Sequence, residues 1–200
     1  MRYRRYGLEL ERLEPRHLEM VRGWRNREGV RLRMQYREVV SPEAQARWFT
    51  ELDPTNDWYF VASRNRNSFG VFHVKQIRWH EKSGEAGGFV GGIESIGAAE
   101  TGLAILALMD FAFVQLHLEW LEASYHPEYK QIEALNRGLG YEVFERHKNG
   151  FVRARVSRSR FLAATKAVRS AAERRYGPER RLLDADPWLM QHGRGCAPDY

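Results

Sequence analysis

The chain has 200 residues, long enough for one domain with a substantial core, and its 43% hydrophobic and 29% charged content is that of an ordinary soluble protein. Its opening, Met1-Arg2-Tyr3-Arg4-Arg5-Tyr6, lacks the apolar core of a secretory leader. No apolar run reaches the roughly 20 residues of a membrane span, so a cytoplasmic location without membrane attachment is expected. The formal net charge is +6, and the single Cys196 excludes an intrachain disulfide and a cysteine metal cluster.

In chain order, Leu8-Glu9-Leu10-Glu11-Arg12-Leu13 alternates with period two and reads as a first strand, ended by Pro15. Arg16 to Trp24 reads as a short helix, and Asn26 to Met34 as a second with Asn26 as its cap. Ser41-Pro42-Glu43 is a helix start, with a cap serine, proline at the first helical position and an acid beside the dipole. That helix runs to about Leu52, before Pro54. Trp58 to Ser63 and Phe69 to Ile77 read as a hairpin around the polar turn Arg64 to Asn67. After a second turn, His80 to Gly84, comes Glu85-Ala86-Gly87-Gly88-Phe89-Val90-Gly91, a strand whose glycines leave backbone bare for a ligand. Gly102 to Phe113 is an apolar helix, Glu119 to Tyr125 a strand, and Pro127 to Arg137 a helix. Tyr141 to Glu145 and Phe151 to Val156 close a hairpin around Lys148-Asn149-Gly150.

Residues 153 to 181 hold ten Arg and Lys against two Glu, and Ala163 to Tyr176 reads as a basic helix broken by Gly177-Pro178. Such a tract suits a solvated helix face, an acidic acyl carrier protein, a phosphate-bearing substrate or a homodimer contact. Aromatic residues are not interleaved with the basic ones, which disfavours nucleic acid.

The order strand, two short helices, three antiparallel strands, helix, strand, helix, two strands resembles the GCN5-related N-acetyltransferase (GNAT) fold over residues 7 to 157. Trp24-Arg25-Asn26, Val30, Met34, Ala46-Arg47-Trp48-Phe49, Tyr59-Phe60-Val61 and Phe69-Gly70 are similar to the branch that acetylates a UDP-linked amino sugar in pseudaminic acid synthesis, and to its ribosomal-protein acetyltransferase relatives. Leu135-Asn136-Arg137-Gly138-Leu139-Gly140-Tyr141 resembles the family's passage from helix to strand. The resemblance implies an α+β (α/β three-layer) domain over residues 1–158. Its sheet would be mixed, mostly antiparallel, with six to seven strands, splayed central strands and flanking helices. A basic helical extension and tail, residues 159–200, would follow.

The resemblance also implies acetyl-CoA as co-substrate, no metal, and a small-molecule amine as acceptor, with a UDP-linked amino sugar foremost. A protein N-terminus, another small amine, a carrier-protein donor and a non-catalytic binding role stand as alternatives. The pantetheine arm would pair with the backbone of Phe89, Val90 and Gly91. The pyrophosphate would meet Gly97, Ala98, Ala99, Glu100 and Thr101. The family's loop signature, Gln or Arg, two residues, Gly, one residue, Gly or Ala, falls on Ile96, Ala99 and Thr101, all of which depart from it. Glu100, at the positive end of the following helix, would compete with a phosphate unless turned to solvent. Glu85 occupies the position of the family's base, acting through water, and the N–H of Val90 that of the oxyanion donor. Asn136, grouped with the cofactor contacts, stands where relatives place a tyrosine acid. Tyr129, seven residues earlier, would supply that acid from the same helix face, with Tyr125 as the other candidate. Trp24, Arg25, Asn26, Arg31, Met34 and Tyr36 would form the acceptor wall, with Arg33 among the cations facing a diphosphate and His73 as a further sugar or base contact.

Overall fold

The alternating and glycine-rich segments all enter one mixed sheet in the structure, a computed structural model that describes residues 1–91, 97–148 and 150–184. In chain order the elements are β1 (Arg2–Arg5), β2 (Leu8–Arg12), α1 (Leu18–Asn26), α2 (Glu28–Arg31), α3 (Pro42–Thr50), β3 (Trp58–Arg64), β4 (Asn67–Arg78) and β5 (Ser83–Val90). They continue with α4 (Ala98–Asp110), β6 (Trp120–Tyr125), α5 (Lys130–Gly138), β7 (Glu142–Arg146), β8 (Val152–Ser157), α6 (Arg158–Ala164), α7 (Lys166–Tyr176) and β9 (Arg181–Leu183). The strand order is β7-β8-β6-β5-β4-β3-β2-β1-β9. These nine strands exceed the six or seven expected, because β1 and β9 add an antiparallel pair at one edge, Tyr3 facing Leu182.

Among the described residues every pairing is antiparallel except β5 with β6, which pair in parallel over three rungs, Ser83 with Trp120, Gly84 with Leu121 and Glu85 with Glu122. Beyond Glu85 the two strands part. β5 stays paired with β4 as far as Gly70 and Val90, so only its other edge is open.

Alternation gives the sheet two apolar faces. On one, α1 and α3 cover Val61, Val71, Tyr59 and Phe89 with Val21, Trp24, Trp48 and Phe49. The other packs Trp58, Phe60, Phe72 and Val74 beneath α4, which is buried along much of its length, and beneath Phe161 and Ala172 of the C-terminal helices. Phe111 anchors this core, 5.3 Å from Tyr3, 5.6 Å from Trp58 and 5.0 Å from Phe60 between ring centres. Each such side chain contributes about 1.5–3 kcal/mol on burial.

Residues 158–176 form two helices instead of the single one expected from Ala163. Ser157 caps α6 by accepting from Arg160 N–H, and the helix ends at the buried Thr165, whose hydroxyl donates to Phe161 O at 2.6 Å. The second helix, α7, brings charge inward. Arg5, 1% exposed, donates to Asp110 Oδ2 at 3.0 Å, to Pro178 O at 2.6 Å and to Glu173. Tyr6 donates to the same Asp110 oxygen at 2.7 Å, and Arg169 lies 3.0 Å from the other. α2 is shorter than the helix expected over Asn26 to Met34, and Asn26 ends α1 instead of capping α2.

Candidate active site

The fork of the sheet gathers the charged residues. Glu85 stands on the last shared rung, with Glu122 beside it on β6. Its carboxylate meets Lys75 Nζ at 3.1 Å, both side chains about one-third exposed. Glu122 is answered by two cations, Arg78 at 2.9 Å and Arg153. Glu85 is the base expected from sequence; the nearness of Lys75 and Glu122 was not expected, because it depends on register.

Past the fork, the backbone of β5 is directed by one bond. Gly91 N–H donates to Phe69 O at 2.8 Å on the β4 side. Strand alternation therefore turns Phe89 the same way and aims the N–H and C=O groups of Ala86, Gly88 and Val90 at the open edge. Gly91 has both backbone groups engaged within the protein, because its carbonyl also accepts from Arg27. The glycines do not clear space for a ligand, as the sequence suggests. A Cβ at Gly91 would overlap the Trp24 ring, and one at Gly87 would press on His73 Nε2. They admit the protein's own side chains.

Glu85 and Val90 are five residues apart, about 17 Å along a strand, too far for one water to link a base with an oxyanion donor. Gly88, whose N–H shares the open edge, is about 10 Å from Glu85.

His73 stacks on Tyr59 at 4.8 Å between rings, and Trp48 meets Tyr59 edge-on at 5.1 Å. Burial, then the Lys75 charge, lowers the His73 pKa to about 3, so the imidazole stays neutral. Burial, then Asp57 and Glu85, raises the Tyr59 hydroxyl above its ordinary value, and burial with Glu85 does the same to Tyr141. Both tyrosines were missed from sequence.

The segment expected to form the acceptor wall includes a loop, residues 32–40, sewn to α1 and α2 by residues expected to touch ligand. Asn26 brackets Val40, donating to its carbonyl and accepting from its N–H at 2.8 Å each. Arg25 donates to Tyr36 O, and Arg31 to Arg37 O. Trp24 is core, 8% exposed. Arg25 nevertheless keeps a buried Nη1 without a hydrogen-bond partner, and burial, then Arg31, lowers its pKa. Met34 is half-buried and Tyr36 exposed. The loop crosses the open fork, for Gln35 Nε2 lies 3.3 Å from Ser124 Oγ on β6 and Tyr129 OH 3.5 Å from Leu32 O.

Tyr129 precedes α5 as its N-cap instead of lying within the helix, so the expected shared face with the buried Asn136 is not formed. Tyr125 belongs to the opposite core, and burial raises its pKa.

At the start of α4, Gly97 is the N-cap and Glu100 and Thr101 fall in the first turn, with the N–H of Glu100 donating to Gly97 O at 3.2 Å. Ala98 and Ala99 are the first two helical residues. Ile96 lies outside the described residues. Glu100 is not turned to solvent. Its Oε1 lies 3.5 Å from Arg64 Nη1, which also donates to Tyr176 OH at 3.1 Å. The basic strand β8 is likewise engaged: Arg153 pairs with Glu145 at 2.9 Å as well as with Glu122, and Arg155 lies over the rings of Trp120 and Phe144. Among the described residues no group of three or more His, Cys, Asp or Glu is placed to hold a metal ion, and no helix is long and apolar enough to cross a membrane.

A mixed sheet whose single parallel pair opens at mid-length, with helices on both faces, is the fold of the GCN5-related N-acetyltransferases. Solved structures agree. Spermidine N-acetyltransferase from Vibrio cholerae, in complex with CoA and spermine, superposes with a TM-score of 0.68 at 18% identity, over 79% of this chain and 99% of that one. RimL, a ribosomal L7/L12 alpha-N-protein acetyltransferase in complex with coenzyme A, gives 0.66 at 13% identity over 76% and 94%. A domain from Methanocaldococcus jannaschii gives 0.66 at 14% identity over 75% and 97%. By sequence, no family model and no curated protein matches the chain.

Proposed function

We propose that the protein is an N-acetyltransferase that moves an acetyl group from acetyl-CoA to an amine carried on an anionic acceptor, foremost a nucleotide-linked amino sugar. The observation that carries the transferase reading is the open edge of β5. Gly88 and Val90 offer backbone groups that are unpaired among the described residues, along a fork that ends at a carboxylate, an arrangement suited to an extended pantetheine arm. The two named relatives, one bound to CoA and spermine and the other to coenzyme A, support the same donor.

In this reading the amine arrives between Glu85 and the thioester. Its lone pair attacks the carbonyl carbon, the N–H of Gly88 receives the developing oxyanion, and Glu85 takes the amine proton through a short water chain. Val90, the donor expected from sequence, instead bonds the pantetheine farther along the edge. The thiolate leaves with a proton from Tyr129, whose hydroxyl lies 3.5 Å from Leu32 O, a long contact. Asn136 has no proton to give at neutral pH.

The acceptor class follows from charge. Arg25, Arg31, Arg33 and Arg37 lie on or beside the covering loop, and Arg25 holds an unpartnered buried N–H. A polycation such as spermine would meet repulsion there, whereas a diphosphate would satisfy the guanidinium fork. The test is calorimetric titration with acetyl-CoA, followed by comparison of kcat/KM for a UDP-linked amino sugar and for spermidine. Donor binding with a preference for the anionic acceptor is expected. Absence of donor binding overturns the transferase reading, and a preference for spermidine overturns the acceptor class alone.

A further inference from the structure

We propose that the cavity between the N-terminal hairpin and the C-terminal extension is a binding site for a small polyanion bearing at least two phosphates. It lies at the β1–β2 turn and encloses about 520 Å³, within the size range of ligand sites. Three separate segments bring arginines to it: Arg4 from β1, Arg66 from the β3–β4 turn and Arg181 from β9. Ser63 and Asn65 add neutral polar groups, and Tyr176 of α7 forms a wall.

The state of these arginines points to the ligand. Arg66 has no ion-pair or hydrogen-bond partner among the described residues, and φ of 68° at this residue holds it in the left-handed turn that carries it to the cavity. Arg4 is paired with Glu9 at 2.6 Å and Arg181 with Glu179 at 2.7 Å, and in both pairs the arginine side chain is more than half exposed. Exposed pairs of this kind contribute little, so each guanidinium can exchange its carboxylate for a phosphate that accepts two bonds at once. One free and two exchangeable cations match a di- or triphosphate better than a monoanion. The other two lining arginines are committed elsewhere, Arg2 to Asp184 and Arg5 to Asp110. The site exists only because β9 and α7 return to the N-terminal hairpin, which gives part of the basic C-terminal tract a purpose outside the acyl-transfer cleft.

The test uses the full chain and inorganic pyrophosphate, titrated calorimetrically with and without saturating coenzyme A. Saturable one-to-one binding is expected in both cases. Arg66→Glu is expected to weaken it at least about tenfold, the loss of one charge-assisted contact. Arg66→Gln on the same exposed turn is expected to weaken it with an unchanged melting temperature. Arg181→Glu acts in the same direction. Arg174→Glu, on the exposed side of α7, is expected to leave binding as it is. Three results overturn the proposal: no saturable binding, equal weakening by Arg174→Glu, or complete displacement by coenzyme A. The last would make the cavity part of the donor site.

Discussion

Two groups of charges on the protein, one under α4 and α7 and one at the fork of the sheet, differ in how far they are removed from water. Around Arg5 and Asp110 the charges are almost wholly out of water, and the two carry side-chain exposures of 0% and 1%. At the fork, Glu85 and Lys75 are each about one-third exposed and pair with each other at 3.1 Å. A buried charge cannot exchange a partner without a large desolvation cost, so the first group is architecture. A partly exposed charge exchanges partners more easily, which suits the proton transfer proposed for Glu85.

The largest test of this contrast is Asp110→Ala, which strands Arg5 and Arg169 in the core. A loss of about 3–5 kcal/mol is expected in denaturant unfolding, and a loss below about 1 kcal/mol would end the claim that the network is architectural. Glu85→Gln should do the reverse, lowering turnover about 10²–10³-fold while the melting temperature holds. Destabilisation comparable to that of Asp110→Ala would erase the distinction.

A pH series sharpens it further through His73. The folded state keeps this imidazole neutral down to about pH 3, whereas the unfolded chain protonates it near its ordinary value of about 6.5. Unfolding therefore takes up a proton between those values. The stabilisation is fully present above the unfolded pKa and declines as pH falls, by about 1 kcal/mol per unit. His73→Phe should flatten that part of the melting profile relative to the parent chain, and parallel profiles would show that His73 does not control it. The smallest effect is expected at Glu100. Removing its charge by Glu100→Gln should tighten coenzyme A binding about two- to fivefold, the scale of a carboxylate near a helix start. Weaker binding would mean that its pairing with Arg64 shapes the donor site.

Much of the fold was legible because period and punctuation are local. The Ser41 cap forms as read, its hydroxyl accepting from Ala44 N–H at 3.2 Å, and the alternation of Leu8 to Leu13 gives β2. What escaped depends on distant partners. Met1-Arg2-Tyr3-Arg4-Arg5-Tyr6 looks like a solvated basic start, and nothing near it discloses that Arg5 meets Asp110, 105 residues away, or that Tyr3 packs on Phe111. In the candidate site, the place of Glu85 on β5 was legible from the glycine strand. The bonds of Asn26 and Arg25 to the 32–40 loop were not legible, because a side chain bonded to loop backbone leaves the same sequence trace as one exposed to substrate. The glycines misled for a related reason: a missing Cβ marks a close approach without saying what approaches, and here Trp24 and His73 do.

The pairing of β9 with β1 also sets an order of events during synthesis. The outer strand partner of residues 2–5 and the Glu173 that answers Arg5 are made more than 160 residues after them. At about 5–20 residues per second, this edge waits roughly ten seconds or more as an incomplete template with an uncovered cation. The arginines of β1 then guard a nascent sheet edge against association with other chains until residues 181–183 arrive to cover it.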